Sequence, residues 1–155
     1  MGVQTSSEIL PQPIAGFWRF VPWLSRIALV PPAIVLAAIT QRFFNNPAQA
    51  ITGTTLHTPE AFTDVRVVGA LTMTLFVMLI TFLFAAKRLW LGHVEAIALM
   101  GLALATRIFG FLHDGTTLAM GNQRRITLGE IVFLTLNVLA LVLDRLRARH
   151  DGGKP

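Results

Sequence analysis

The chain is 155 residues long, 54% hydrophobic and only 14% charged, with a formal net charge of +5 and no cysteine. Soluble domains of this size carry about 25% charged residues, so the composition favours an integral membrane protein over a soluble one. The missing thiols exclude disulfide exchange, cysteine nucleophiles and thiolate metal sites. The basic residues gather at the ends of apolar segments, a pattern that suits topology and anionic lipid rather than nucleic acid.

Residues 1–16 hold no Lys or Arg and a single acid, Glu8. They read as a polar, interfacial segment without the basic stretch of a cleavable signal, so the first apolar segment is expected to remain as an anchor. Gly2 with Ser6 fits a myristoylation pattern only by chance. The first predicted helix covers residues 18–40. Phe17, Trp18, Phe20 and Trp23 form an aromatic belt at its start, and Pro31 with Pro32 is expected to kink or loosen it. Arg26 reads as an interfacial anchor, with a buried pair to Glu95 as its alternative.

Residues 41–64 form the longest connection, punctuated by Asn45, Asn46, Pro47, Gly53 and Pro59, with a short interfacial turn predicted after Pro47. The second helix, residues 67–86, contains no ionisable group. A short basic link through Lys87, Arg88 and Trp90 leads to the third, residues 91–112, and the fourth covers residues 126–143. Residues 148–155 read as a disordered tail behind a four-helix domain of residues 17–147. The expected fold is therefore all-α, a transmembrane four-helix bundle running up-down-up-down with both termini on one side. The positive-inside rule makes that side cytoplasmic, in a bacterial inner membrane.

Polar residues recur at helical spacing. Gly92, Ala96, Met100, Ala103, Arg107, Gly110 and Asp114 form one stripe, small or charged apart from Met100, which predicts a face turned to the bundle interior. Glu130, Leu134, Asn137, Leu141 and Asp144 form another. Arg66, Ala70, Thr74, Val77 and Thr81 make a weaker third. An ionisable group inside such a segment is costly unless it finds a partner. Arg66, Arg107, Asp114 and Glu130 lie at similar depth, so they are read as one neutral intramembrane network, with Arg26, Glu95 and Asn137 as secondary polar positions.

These residues also resemble a known pattern. The stretches TDVRVVGAL, TRIFGFLHDG and ITLGEIVF, with NPAQAITG ahead of them, look like a domain-of-unknown-function family of small four-helix bacterial inner-membrane proteins. The resemblance covers residues 20–147 and rests on Arg66, Gly69, Arg107, Gly110, Asp114, Gly115 and Glu130. In that family a Gly-Gly pair often follows the first arginine, where this chain has Gly69 and Ala70. An acid commonly precedes it, as Asp64 does here. The resemblance implies a four-helix bundle and no established activity.

The four histidines, at 57, 93, 113 and 150, make no metal-binding spacing, and His93 with Glu95 reads as solvated or interfacial. Phosphate loops, nucleophile elbows and paired catalytic carboxylates are lacking, so no cofactor, metal or catalytic role is expected. The leading expectation is a structural or accessory membrane protein whose bundle is pinned by the Arg/Asp/Glu network. Its partners would be the lipid bilayer and a second copy or a larger membrane complex, with no nucleic acid. One alternative is a proton-linked small-molecule transporter with Glu130 as proton carrier and Arg107 tuning it. Another is a lipid or quinone binder using space near Pro31 and Pro32.

Overall fold

A computed structural model describes residues 12–51, 55–113, 117–119 and 122–152. These form four long helices: α1 (Gln12–Asn45), α2 (Pro59–Phe84), α3 (Leu89–His113) and α4 (Gln123–Gly152). No strand occurs among the described residues. Each helix holds a stretch long and apolar enough to cross a membrane. Even the shortest, α3 with 25 residues, exceeds the ~20 that a bilayer's hydrocarbon core requires.

Local chemistry sets the ends. At the start of α2, Thr58 has extended backbone and its hydroxyl accepts from the Ala61 N–H at 3.2 Å. Pro59 opens the helix, and Glu60 sits in its first turn, where the positive end of the dipole favours an acid. Ala85 leaves helical geometry, and the single turn Ala86–Arg88 passes the chain into α3. After α1, the Arg42 guanidinium donates from Nε and Nη2 to the Gln49 carbonyl at 3.1 and 2.6 Å. The Leu56 amide donates to Ala48 O at 2.9 Å, so the long connection folds back on itself around the Pro47–Gln49 turn.

Helix α1 continues unbroken through Pro22, Pro31 and Pro32. Proline has no N–H, so Pro32 leaves the carbonyl four residues earlier, that of Ala28, without its helical donor. The replacement donor comes from another helix, as described below.

Each helix packs on the next, and α1 also packs on α4, which closes the ring. Neighbours run antiparallel. Thr40 bonds Thr72 hydroxyl to hydroxyl at 3.0 Å across α1 and α2, while His93 meets Asp144 and Arg107 meets Glu130 across α3 and α4. Across the diagonals α1 touches α3, whereas among the described residues α2 and α4 make no contact. The core comprises Leu29, Ala33 and Leu36 of α1, Leu79 of α2, and Leu89 and Ala96 of α3. Large apolar side chains also cover the outside, with Phe84 79%, Leu112 74% and Leu102 67% exposed. Water would penalise such a surface heavily; a hydrocarbon surround would not.

The stripe expected on α2 faces outward. Arg66, Ala70, Thr74, Val77 and Thr81 are all exposed, whereas Val65, Gly69 and Leu79 are buried. The threonines need no interior partner, because Thr74 and Thr81 donate to Ala70 O and Val77 O of their own helix. Gly69 sets the buried face: a Cβ there would lie 2.9 Å from Phe43 Cβ, an atom fixed to the α1 backbone. Gly69→Ala is therefore expected to lower the thermal midpoint, at a cost of about 1–2 kcal/mol. Gly101→Ala, with nothing within 4 Å, should leave the midpoint unchanged or raise it through helix propensity.

Of the tail expected to be disordered, residues 148–152 are helical and residues 153–155 lie outside the described residues. Helix α4 runs on to Gly152. Arg145, Arg147 and Arg149 near its end suit the negative pole of the dipole, so the helix outlasts its apolar stretch.

Candidate functional site

Two polar clasps join α3 to α4, one toward each end of the pair. The first centres on Arg107. Residues 123 and 130 are seven apart, which brings Gln123 and Glu130 onto one face of α4 opposite it. Arg107 Nε donates to Glu130 Oε2 at 2.6 Å and Nη2 to Oε1 at 2.9 Å. The third nitrogen, Nη1, donates to Gln123 Oε1. The side chains are 21% and 13% exposed, so this is a half-desolvated, two-pronged ion pair. Such a pair is strong and directional because the planar guanidinium matches both carboxylate oxygens. A cavity of about 290 Å³ opens beside it, lined by Ala103, Thr106, Gly110 and Phe111 as well as Arg107 and Gln123.

The other two residues read into this network are placed differently. Arg66 is exposed on α2, the helix diagonal to α4, and forms no ion pair among the described residues. Position along the bundle axis groups Arg66 with Glu130; the diagonal separates them. Asp114 lies outside the described residues.

The second clasp contains His93, Asn137 and Asp144. His93 and Asn137 are fully buried. Asn137 Nδ2 donates to Ala28 O of α1 at 3.2 Å and to Phe133 O of its own helix at 2.9 Å. Ala28 O is the carbonyl that Pro32 leaves without a donor, so a side chain of α4 supplies the donor that α1 lacks at that point. With both amide hydrogens directed at carbonyls, Asn137 Oδ1 must act as acceptor toward His93 Nδ1, 2.9 Å away. His93 Nδ1 therefore carries a hydrogen. The other ring nitrogen, Nε2, is buried without a hydrogen-bond partner and faces Asp144 Oδ2 at 3.8 Å.

His93 is thus an interior residue, not the solvated or interfacial one expected from its nearness to a helix end. It neighbours Gly92 on the small-residue stripe and steps on to Ala96 and Met100, all buried. The available signal was the match of spacings: two polar residues seven apart on α4, Asn137 and Asp144, lie opposite one polar residue on α3.

Of the remaining candidates, Glu95 has both carboxylate oxygens buried without a hydrogen-bond partner. It makes no ion pair among the described residues, so the alternative pairing with Arg26 does not form. Arg26 instead lines a separate cavity together with Asp144. Pro32 is fully buried. Chemically, both clasps hold helices in register. Among the described residues no three His, Cys, Asp or Glu side chains converge as metal ligands would. Comparison with protein families, curated proteins and solved structures finds no match to this chain.

Proposed function

We propose that the chain is a small multi-pass protein of the bacterial inner membrane, with four antiparallel transmembrane helices and both termini in the cytoplasm, and that it serves as a structural or accessory component rather than an enzyme. One observation carries the reading. Every nitrogen of the Arg107 guanidinium is committed to a side chain of α4. A charge satisfied in that way locks two helices and is poorly suited to exchange partners during a transport cycle. The outward-facing apolar side chains on all four helices and the basic residues flanking α2, α3 and α4 support the membrane placement. The family resemblance points the same way and is part of the proposal.

A second reading, proton-linked transport through Glu130, draws on the cavity beside Arg107. It requires Glu130 to release the arginine in order to take a proton, which separates the two readings experimentally, as argued in the Discussion.

The native chain has no cysteine, so single cysteines report topology cleanly. In intact cells, a membrane-impermeant maleimide is expected to label Thr55→Cys in the α1–α2 connection and to leave Ala148→Cys in α4 unlabelled until the cells are permeabilised. The opposite pattern reverses the orientation, and equal labelling of both overturns the four-span reading. In the same membranes, mild-detergent extraction is expected to yield a dimer or a stoichiometric complex. A clean monomer would count against an accessory role.

A further inference from the structure

Where α3 begins and α4 finishes, the bundle holds a cavity of about 370 Å³ that shares no residue with the Arg107 clasp. Arg26 of α1 and Arg145 and Arg147 of α4 all line it, together with Trp90 of α3 and the acid Asp144. These arginines come from helices far apart in sequence and open onto one concavity. Arg19 and Arg149, by contrast, lie outside the cavity. The Arg145 guanidinium lies 5.0 Å from the centre of the Trp90 ring, a cation–π contact that holds its plane in place. Asp144 is the acid of this lining, beside Arg26 and Arg145. Its side chain is 18% exposed, and Oδ2 faces His93 on the interior side.

We infer that this cavity binds a phosphate group, carried by a phospholipid headgroup or free in solution. A tetrahedral phosphate can accept from several guanidiniums at once, which a planar carboxylate with two oxygens does less well. A tryptophan and a set of arginines at the end of a transmembrane bundle also match the level at which headgroups lie. The lipid source rests on the membrane reading above; the phosphate chemistry does not.

The test uses the full chain purified in nonionic detergent and titrated with dihexanoyl phosphatidylglycerol, dihexanoylglycerol and inorganic phosphate. Phosphatidylglycerol is expected to bind at least about tenfold more tightly than the phosphate-free dihexanoylglycerol. Arg26→Gln combined with Arg145→Gln is expected to remove about tenfold of that affinity. Arg124→Gln with Arg125→Gln, the same charge change at the opposite end, should leave it intact. Inorganic phosphate binding as tightly as the lipid identifies a free phosphate as the ligand, whereas clearly weaker binding identifies the headgroup. Equal binding of the phosphate-free glyceride, or equal losses in the two double variants, overturns the proposal. Should the glutamine pair lose its helical circular-dichroism spectrum, Arg26→Lys with Arg145→Lys replaces it. That variant keeps the charge but not the flat fork, and a loss of roughly threefold is then expected, with wild-type affinity overturning the proposal. A chain that stays monodisperse after detergent removal defeats the membrane reading while leaving the phosphate titration interpretable.

Discussion

Replacing Asn137 with leucine is expected to cost the bundle about 3 kcal/mol of stability, because one buried and one half-buried polar group lose their partners at once. One is the His93 Nδ1–H, bonded to Asn137 Oδ1 at 2.9 Å; the other is Ala28 O, bonded to Asn137 Nδ2 at 3.2 Å. The figure is above the ~0.6 kcal/mol average of interhelical hydrogen bonds in membranes because two partners are lost together and Pro32 cannot donate to Ala28 O. Asn137→Asp should be worse still. It keeps the acceptor for His93 but sets a carboxylate oxygen against the Ala28 and Phe133 carbonyls. The order wild type, then leucine, then aspartate is read from thermal unfolding in detergent followed by circular dichroism. A double-mutant cycle isolates the cause. In a Pro32→Ala background the restored amide can serve Ala28 O, so Asn137→Leu should cost about 1 kcal/mol less than in the native background. Strict additivity of the two changes would refute the donor-replacement account.

The second large effect belongs to the Arg107 clasp. Arg107→Met leaves Glu130 half-buried without its guanidinium, and Glu130→Met leaves Arg107 in the same state. Each is expected to cost about 2 kcal/mol, below the ~3–5 of a wholly buried pair because both side chains retain some exposure. The double change to methionine removes both charges and should recover at least half of the loss. The same variants separate the two functional readings. If the pair only fixes helix register, the double variant should accumulate in membranes and rescue any growth defect of a deletion strain. If Glu130 carries protons, the double variant is as inactive as Glu130→Gln. A double variant no more stable than either single one would argue against a direct pair.

How far the sequence leads can be seen residue by residue. The four helices follow from apolar runs interrupted by Gly, Pro and basic residues, since each run can bury its backbone polar groups only by forming a helix. Arg107 and Glu130 stand out because each lies on a helical stripe unlike its surroundings. The faces of α2 were not legible. Threonine at helical spacing looks like an interior lining, yet each hydroxyl is satisfied on its own helix and can point anywhere. Arg66 shows a related limit: sequence position gives depth along a helix, while contact with α4 depends on which helices lie on a diagonal. His93 was hidden by its location near a helix end. Its burial depends on a partner on α4 at the matching level, a relation between two helices that neither segment displays alone.

The bond from Asn137 to Ala28 O also bears on how the protein is made. Of the four helices α1 emerges from the ribosome first and α4 last, so on the proposed membrane reading α1 would enter the bilayer with the Ala28 carbonyl still lacking the donor that Asn137 later brings. Until α4 arrives, water or another polar group must serve it, at a cost of several kcal/mol in hydrocarbon. Insertion of the first helix is in that sense provisional, and a chain truncated before Asn137 carries a built-in mark of incompleteness at the centre of its first span.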